Sequence, residues 1–312
     1  MAHDARLLAE IVRAGGWQAR VTPIENPSLL RRALQKSGLH RWQRRRYALN
    51  LFIQSPRPWW IAQAGYNVVV PNQEWFTPYA QAILPKIDAV WCKTREAQRV
   101  FGQLDVHTEY LGFTSRDRYR SELVKCRDWR RFLHIGSNSL WKGTQRILDT
   151  WLKHPEWPLL TIVSRTARVP VGRSLPDNLV LRTDYVPEEE LLAMQHEAGV
   201  YLHPAEMEGY GHALAEAMST GAVVVTTDAG PMNELVTAER GWLVPTDRSE
   251  PHHLGVRHFV SEAALESTIE SLLCCDTTRL RAMGDAGRAW FETNHRAFER
   301  RAVELLGRVP GM

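Results

Sequence analysis

A chain of 312 residues that is 44% hydrophobic and 24% charged has the apolar material for two domains of ordinary size, which excludes an intrinsically disordered protein. No apolar run reaches the ~20 residues of a membrane-spanning helix, and residues 1–13 alternate charged and apolar side chains where a secretory leader would carry an apolar core, so a cytoplasmic protein is expected. The four cysteines, Cys92, Cys126, Cys274 and Cys275, form neither a C-x-x-C pair nor a Cys/His cluster, which predicts reduced thiols with no disulfide framework and no zinc site.

The net charge of +4 hides an asymmetry. Residues 26–73 contain no Asp or Glu, while Arg31, Arg32, Lys36, Arg41, Arg44, Arg45, Arg46 and Arg57 accumulate there, so one face of the N-terminal half is expected to be strongly positive. In that half, short runs rich in Val, Ile and aromatics recur at 47–53, 67–70, 89–92 and 108–111. A second group follows at 131–135, 159–163, 179–181, 200–203 and 222–226, with helical patterns between the runs. This alternation predicts an α/β fold with parallel sheets. So many strands fit two sheets better than one, and the irregular stretch 112–129 separates the groups. The expected organisation is a Rossmann-like domain at residues 1–120, a second at 121–292, and ligands in the cleft between them at the strand C-termini. The last patterned segment, 297–306, predicts an amphipathic helix that packs residues 293–312 back on the first domain.

The most informative stretch is His203-Pro204-Ala205-Glu206-Met207-Glu208-Gly209-Tyr210-Gly211-His212-Ala213-Leu214-Ala215-Glu216-Ala217-Met218-Ser219-Thr220-Gly221. It reads as the end of a buried strand, a glycine-rich turn, and a helix that starts near Gly211 and stops at Gly221. Free backbone N–H groups and the positive dipole end at that helix start make a site for phosphate, and Gly209 and Gly211 let the backbone approach a ligand. Glu216 shares a helix face with His212 at i, i+4 spacing, and its carboxylate suits the two vicinal hydroxyls of a ribose. In isolation Glu208 and Glu216 would read as a helix cap and a solvated residue. The context points elsewhere, because the stretch resembles the E-x7-E motif of retaining GT-B glycosyltransferases of the family 4-like kind. The resemblance continues through Thr226-Thr227-Asp228-Ala229-Gly230-Pro231-Met232-Asn233-Glu234-Leu235-Val236 and Gly241-Trp242-Leu243-Val244. It implies that Glu208 faces the donor sugar, Glu216 the ribose, and the turn at Gly230 the sugar or phosphates, with Gly209, Tyr210, Gly211 and His212 around them.

A second element is His134-Ile135-Gly136-Ser137-Asn138-Ser139-Leu140-Trp141-Lys142-Gly143, a strand running into a loop with a lysine at a helix start. A lysine there neutralises charge that builds on a diphosphate leaving group. In the family an arginine usually stands five residues before this lysine, and here that position is Ser137. Either Lys142 suffices with the hydroxyls of Ser137 and Ser139, or Arg165 after the next strand substitutes; Gly136 completes the donor-binding set. No Asp-x-Asp occurs anywhere, so no metal and no cofactor are expected beyond the nucleotide-sugar substrate, for which UDP is the commonest nucleotide in the family.

On the acceptor side, Asn72, Glu74 and Trp75 follow a buried strand and are candidates to orient an acceptor hydroxyl, although a turn built on Asn72 after Pro71 fits equally well. The acid-free basic stretch, with Arg44, Arg45 and Arg46 at its centre and Trp42, Tyr47, Trp59 and Trp60 within it, fits a solvated face, an anionic membrane surface or a nucleic-acid backbone, and eight cations without an anion favour a polyanionic partner. DNA with a hydroxymethylated base is placed first, with arginines on phosphates and aromatics filling the gap of a flipped base. A lipid acceptor at an anionic membrane surface comes next. The sequence therefore reads as a metal-independent glycosyltransferase with Glu208 and Lys142 as its catalytic pair, and the resemblance implies retention at the anomeric carbon. A rival of another class is a non-catalytic nucleic-acid or membrane binding protein on a GT-B fold, prompted by Ser137 and by the basic stretch.

Overall fold

The computed structural model describes residues 2–23 and 46–312. Two units divide the chain: the first comprises Met1–Phe113, His252–Gly255 and Arg296–Met312, and the second Thr114–Pro251 and Val256–His295.

In the first unit four strands, β1 (Tyr47–Ile53), β2 (Ala64–Val70), β3 (Ala89–Cys92) and β4 (Thr108–Tyr110), lie side by side in that order. All three neighbouring pairs are parallel. Val68, Val69 and Val70 are completely buried, as the unbroken apolar run of a strand covered on both faces requires. Phe52, Val69, Phe76 and Phe101 meet in the core, with Phe76 and Phe101 edge to face at 5.0 Å. The helix Ala2–Ala14 is anchored by a buried ion pair in which Lys93 Nζ donates to Asp4 at 2.6 Å. From the C-terminal segment, Phe298 packs on Phe113 at 5.1 Å and Arg301 donates to the Leu111 carbonyl at 2.8 Å.

The second unit holds a six-stranded parallel sheet in the order β10-β9-β8-β5-β6-β7. These strands are β5 (Asp128–Ser137), β6 (Leu160–Ser164), β7 (Leu179–Arg182), β8 (Ala198–His203), β9 (Val223–Thr227) and β10 (Gly241–Val244). Every residue of β8 and β9 is buried, which is why both read as continuous apolar runs. Phe132, Trp151 and Trp157 meet in sequence through the core, tilted at 5.1 Å and edge to face at 4.9 Å. Burial of each such side chain stabilises the unit by roughly 1.5–3 kcal/mol. The fold is thus α/β with two sheets of parallel strands, each Rossmann-like, as expected from the alternation of strand and helix patterns.

Two elements differ from the expectation. The pattern at 297–306 is the last part of a 31-residue helix, Thr277–Gly307, whose first half reads poorly because its apolar stripe is interrupted by Gly284 and Gly287. A further two-stranded sheet, β11 (Arg248–His252) with β12 (Gly255–Phe259), has polar residues on both strands and a proline in the first, so it gives no alternation to read. Among the described residues no helix is long and apolar enough to cross a membrane.

Candidate functional site

Four neighbouring strands of the second unit, β9, β8, β5 and β6, run parallel, so their C-terminal ends share one edge. The loops that leave this edge carry Gly230, the Glu208-to-Gly211 turn, the Gly136-to-Lys142 loop and Arg165. All donor-side candidates from the sequence therefore fall within one unit and on or just after that edge, where ligands of open α/β sheets bind.

At the centre Lys142 Nζ donates to the Glu208 carboxylate, which also accepts from His203 Nε2 at 3.0 Å. Glu208 is buried, and burial alone would raise its pKa. The Lys142 charge and the His203 hydrogen bond outweigh that and bring it down to about 2, so the carboxylate stays ionised. Behind His203 lies His134, with ring centroids 6.1 Å apart. His134 Nδ1 sits 2.7 Å from the Leu202 carbonyl and Nε2 2.7 Å from Thr144 Oγ1. A carbonyl only accepts, so Nδ1 carries the proton and Nε2 accepts from the threonine hydroxyl. Burial holds this imidazole neutral, with a pKa near 3.

The loop geometry explains why Lys142 meets Glu208. Gly143, which precedes the helix Thr144–Trp151, has φ +71, and a Cβ on it would meet the Pro204 carbonyl oxygen at 2.4 Å. Only glycine lets the Lys142 loop lie this close to the chain leaving β8. At Gly136 a Cβ would meet Thr144 Oγ1 at 2.2 Å and His134 Nε2 at 2.9 Å. The same two loops are joined where Glu206 N donates to the Trp141 carbonyl at 2.8 Å.

The helix that follows runs His212–Ser219 with Gly211, at φ +103, as its N-cap. His212 Nδ1 lies 2.7 Å from Ser115 Oγ, and Asn294 donates to the Tyr210 hydroxyl at 3.2 Å. Glu216 is half-buried; burial pushes its carboxyl above the usual range, and Arg118, His212 and Arg116 only partly reverse this. Ser137 is exposed at φ +51, at an irregularity of β5, and its carbonyl accepts from Arg165 N at 3.0 Å. The Arg165 side chain, exposed, therefore starts beside the position where the family usually has its arginine. Ser139 Oγ accepts from Trp141 N at 3.3 Å, so it also shapes the loop.

The acceptor-side candidates lie in the first unit. Asn72 accepts from Lys93 Nζ at 2.8 Å, and its backbone exchanges hydrogen bonds with the Gln54 side chain at 3.0 and 3.1 Å. It is thus held in the network of the buried Asp4–Lys93 pair. Glu74 is buried, whereas Trp75 is 47% exposed and meets His252 edge to face at 5.9 Å. Arg46 is exposed; Arg44 and Arg45 lie outside the described residues.

Sequence reasoning missed the histidine pair. His203 stands five residues before Glu208 and His134 at the head of the lysine loop, and each ends inside an apolar run where a buried histidine needs fixed partners. It also missed Arg257 of β12, which donates to Glu206 at 2.5 and 3.1 Å and lies over the Trp141 ring at 5.7 Å. Among the described residues no group of three His, Cys, Asp or Glu side chains is arranged to hold a metal ion.

With the fold and this edge in view, the class of relatives follows from comparison. Residues 175–270, which include the glutamate pair, match the family described as "Glycosyl transferases group 1". Among solved structures, the sucrose-phosphate synthase of Thermosynechococcus elongatus superposes with a TM-score of 0.67 at 16% identity, covering 97% of this chain and 91% of that one. Anabaena HepE in complex with UDP and glucose gives 0.62 at 14% identity, covering 96% and 88%. These likenesses establish the GT-B fold. Among curated proteins, the putative colanic acid biosynthesis glycosyltransferase WcaL of Salmonella typhimurium is 33% identical over 102 residues, 30% of this chain and 25% of the relative. Its Escherichia coli counterpart is 40% identical over 76 residues, 22% of this chain and 19% of the relative. The chain thus matches a quarter or less of the length of these curated relatives.

Proposed function

We propose that this protein is a glycosyltransferase that moves a sugar from a nucleotide-sugar donor to a hydroxyl acceptor, without a metal ion and with retention at the anomeric carbon. The observation that carries the reading is the constellation of half-buried Lys142 with buried Glu208 and His203 at the C-terminal edge of β5 and β8. In this reading Lys142 turns to the diphosphate and takes up the charge that develops as the leaving group departs. Glu208, kept ionised and oriented by His203, faces the donor sugar. Glu216 accepts from the ribose hydroxyls, and Gly211 and Gly230 allow close backbone approach. Arg165 supplies the cation that Ser137 does not. UDP is the proposed nucleotide, supported by neighbours of the same fold crystallised with UDP, such as HepE.

For the acceptor the proposal is a polyanion, with duplex DNA carrying a hydroxymethylated base ahead of a lipid at an anionic membrane. It is supported by the absence of any acid in residues 26–73 and by the exposed Trp75. The test is a salt-dependent titration of the protein with duplex DNA and with anionic vesicles, in the presence and absence of UDP. Steeply salt-sensitive DNA binding that Arg44→Ala/Arg45→Ala/Arg46→Ala removes supports a DNA acceptor. Vesicle binding alone moves the proposal to a lipid, and binding to neither contradicts a polyanionic acceptor.

A further inference from the structure

At the other edge of the six-stranded sheet lies a cavity of about 490 Å³. Trp129 at the start of β5 and Gly221 ahead of β9 line it, so it opens at the N-terminal ends of the strands whose C-terminal ends carry Lys142 and Glu208. At ~3.3 Å per residue, the strands keep the two places more than ~15 Å apart.

One wall is a single face of the Thr277–Gly307 helix, since Arg281, Asp285, Arg288 and Glu292 follow at spacings that bring them onto one side. Arg288 is already satisfied: it pairs with Asp117 at 2.5 Å and Glu292 at 2.8 Å. Arg127 and Arg281 are not. Arg127 donates to the Ala198 carbonyl at 3.3 Å and the Thr220 carbonyl at 2.6 Å, with its guanidinium 5.4 Å from the Trp129 ring centre. Among the described residues it has no carboxylate partner within ion-pair distance. Thr220 caps the C-terminus of the His212–Ser219 helix, whose partial charge of about half a unit covers only part of a guanidinium's. Arg281 is exposed at the rim and likewise has no ion pair among the described residues.

Neither guanidinium has a carboxylate in ion-pair contact, although Asp285 on the same wall acts on Arg127 at longer range, so both keep N–H groups for a planar or tetrahedral oxyanion that takes them in pairs. Trp129 and Tyr119 line the cavity, each with a guanidinium over one face, Arg127 at 5.4 Å and Arg288 at 4.6 Å from the ring centres, while Asp285, exposed beside them, accepts hydrogen bonds from hydroxyls. We propose that this cavity binds an anionic monosaccharide, a sugar ring bearing a phosphate or a carboxylate, at a site separate from that of the donor.

Calorimetric titration of the full chain with glucose 6-phosphate, glucuronate and inorganic phosphate tests this. The expected result is saturable binding of glucose 6-phosphate or glucuronate, with inorganic phosphate at least about tenfold weaker; whichever sugar binds more tightly identifies the anionic group. Arg281→Glu is expected to weaken sugar binding by about tenfold or more, with an unchanged melting temperature, and Lys142→Ala to leave it unaltered. Arg127→Gln should abolish it, and Arg281→Glu keeps the test decisive where Arg127→Gln fails to fold. The proposal is overturned if neither sugar saturates, if inorganic phosphate binds as tightly as either, or if Lys142→Ala removes binding that Arg281→Glu retains.

Discussion

Glu208 and His134 meet opposite demands within one buried cluster: the carboxylate must stay charged and the imidazole neutral. The carboxylate is held charged by a lysine and a histidine N–H, and the imidazole is held neutral by its complete burial, against the pull of the Leu202 carbonyl. His134 has a folded-state pKa near 3 against about 6.5 in an unfolded chain. Between those values the unfolded chain binds a proton that the fold refuses, so stability declines as pH falls from about 6.5 toward 3. Glu208, at about 2 in the fold, acts in the same direction, because its contribution is full above the ordinary carboxylate range near 4.3 and is lost as pH falls through 2. Urea midpoints measured from pH 8 to 4 are expected to fall below pH 6.5, and ring ¹⁵N shifts should keep His134 in its Nδ1–H tautomer across that range. On catalysis, Lys142→Met and Glu208→Gln should each lower turnover by ~10²–10³. Arg165→Ala, if this arginine holds the diphosphate in place of a residue at 137, should raise the donor KM by about tenfold with a smaller change in kcat.

At the scale of elements, the site depends on two loops pressed together, and glycine is what permits it. Gly143→Ala is expected to destabilise the protein by about 1–3 kcal/mol, since it combines a left-handed backbone with a methyl 2.4 Å from the Pro204 carbonyl. Its effect on turnover should exceed its effect on stability, because it moves Lys142 away from Glu208; thermal melting and donor kinetics on the same sample check both. The position of Lys142 just ahead of a helix and of Glu208 just after a strand was legible in the sequence, because the glycines and apolar runs punctuate it. That Lys142 and Glu208 touch was not, since 66 residues separate them and only the parallel pairing of β5 with β8 brings their loops to one edge. Asn72 likewise follows a buried strand, and its side chain is held by Lys93, a partner that spacing does not reveal. The β11–β12 element was invisible because its stability rests on contacts such as Arg257 with Glu206 and Trp141, and not on its own pattern.

At the scale of the whole molecule, two parallel sheets and their order of elements were legible from the alternation of apolar runs with helical patterns. Among the described residues the donor-side candidates gather in one unit and the acceptor-side candidates in the other. Sugar transfer with no bound metal predicts that excess EDTA leaves turnover within about twofold of its value in added Mg²⁺. The central claim is tested most directly by UDP release from a panel of UDP-sugars, measured for the unaltered chain, Glu208→Ala and Lys142→Ala. The account predicts slow UDP release with at least one donor, even without acceptor, and its loss in both variants. Tight UDP binding with no release from any donor, or release that survives both substitutions, would contradict it.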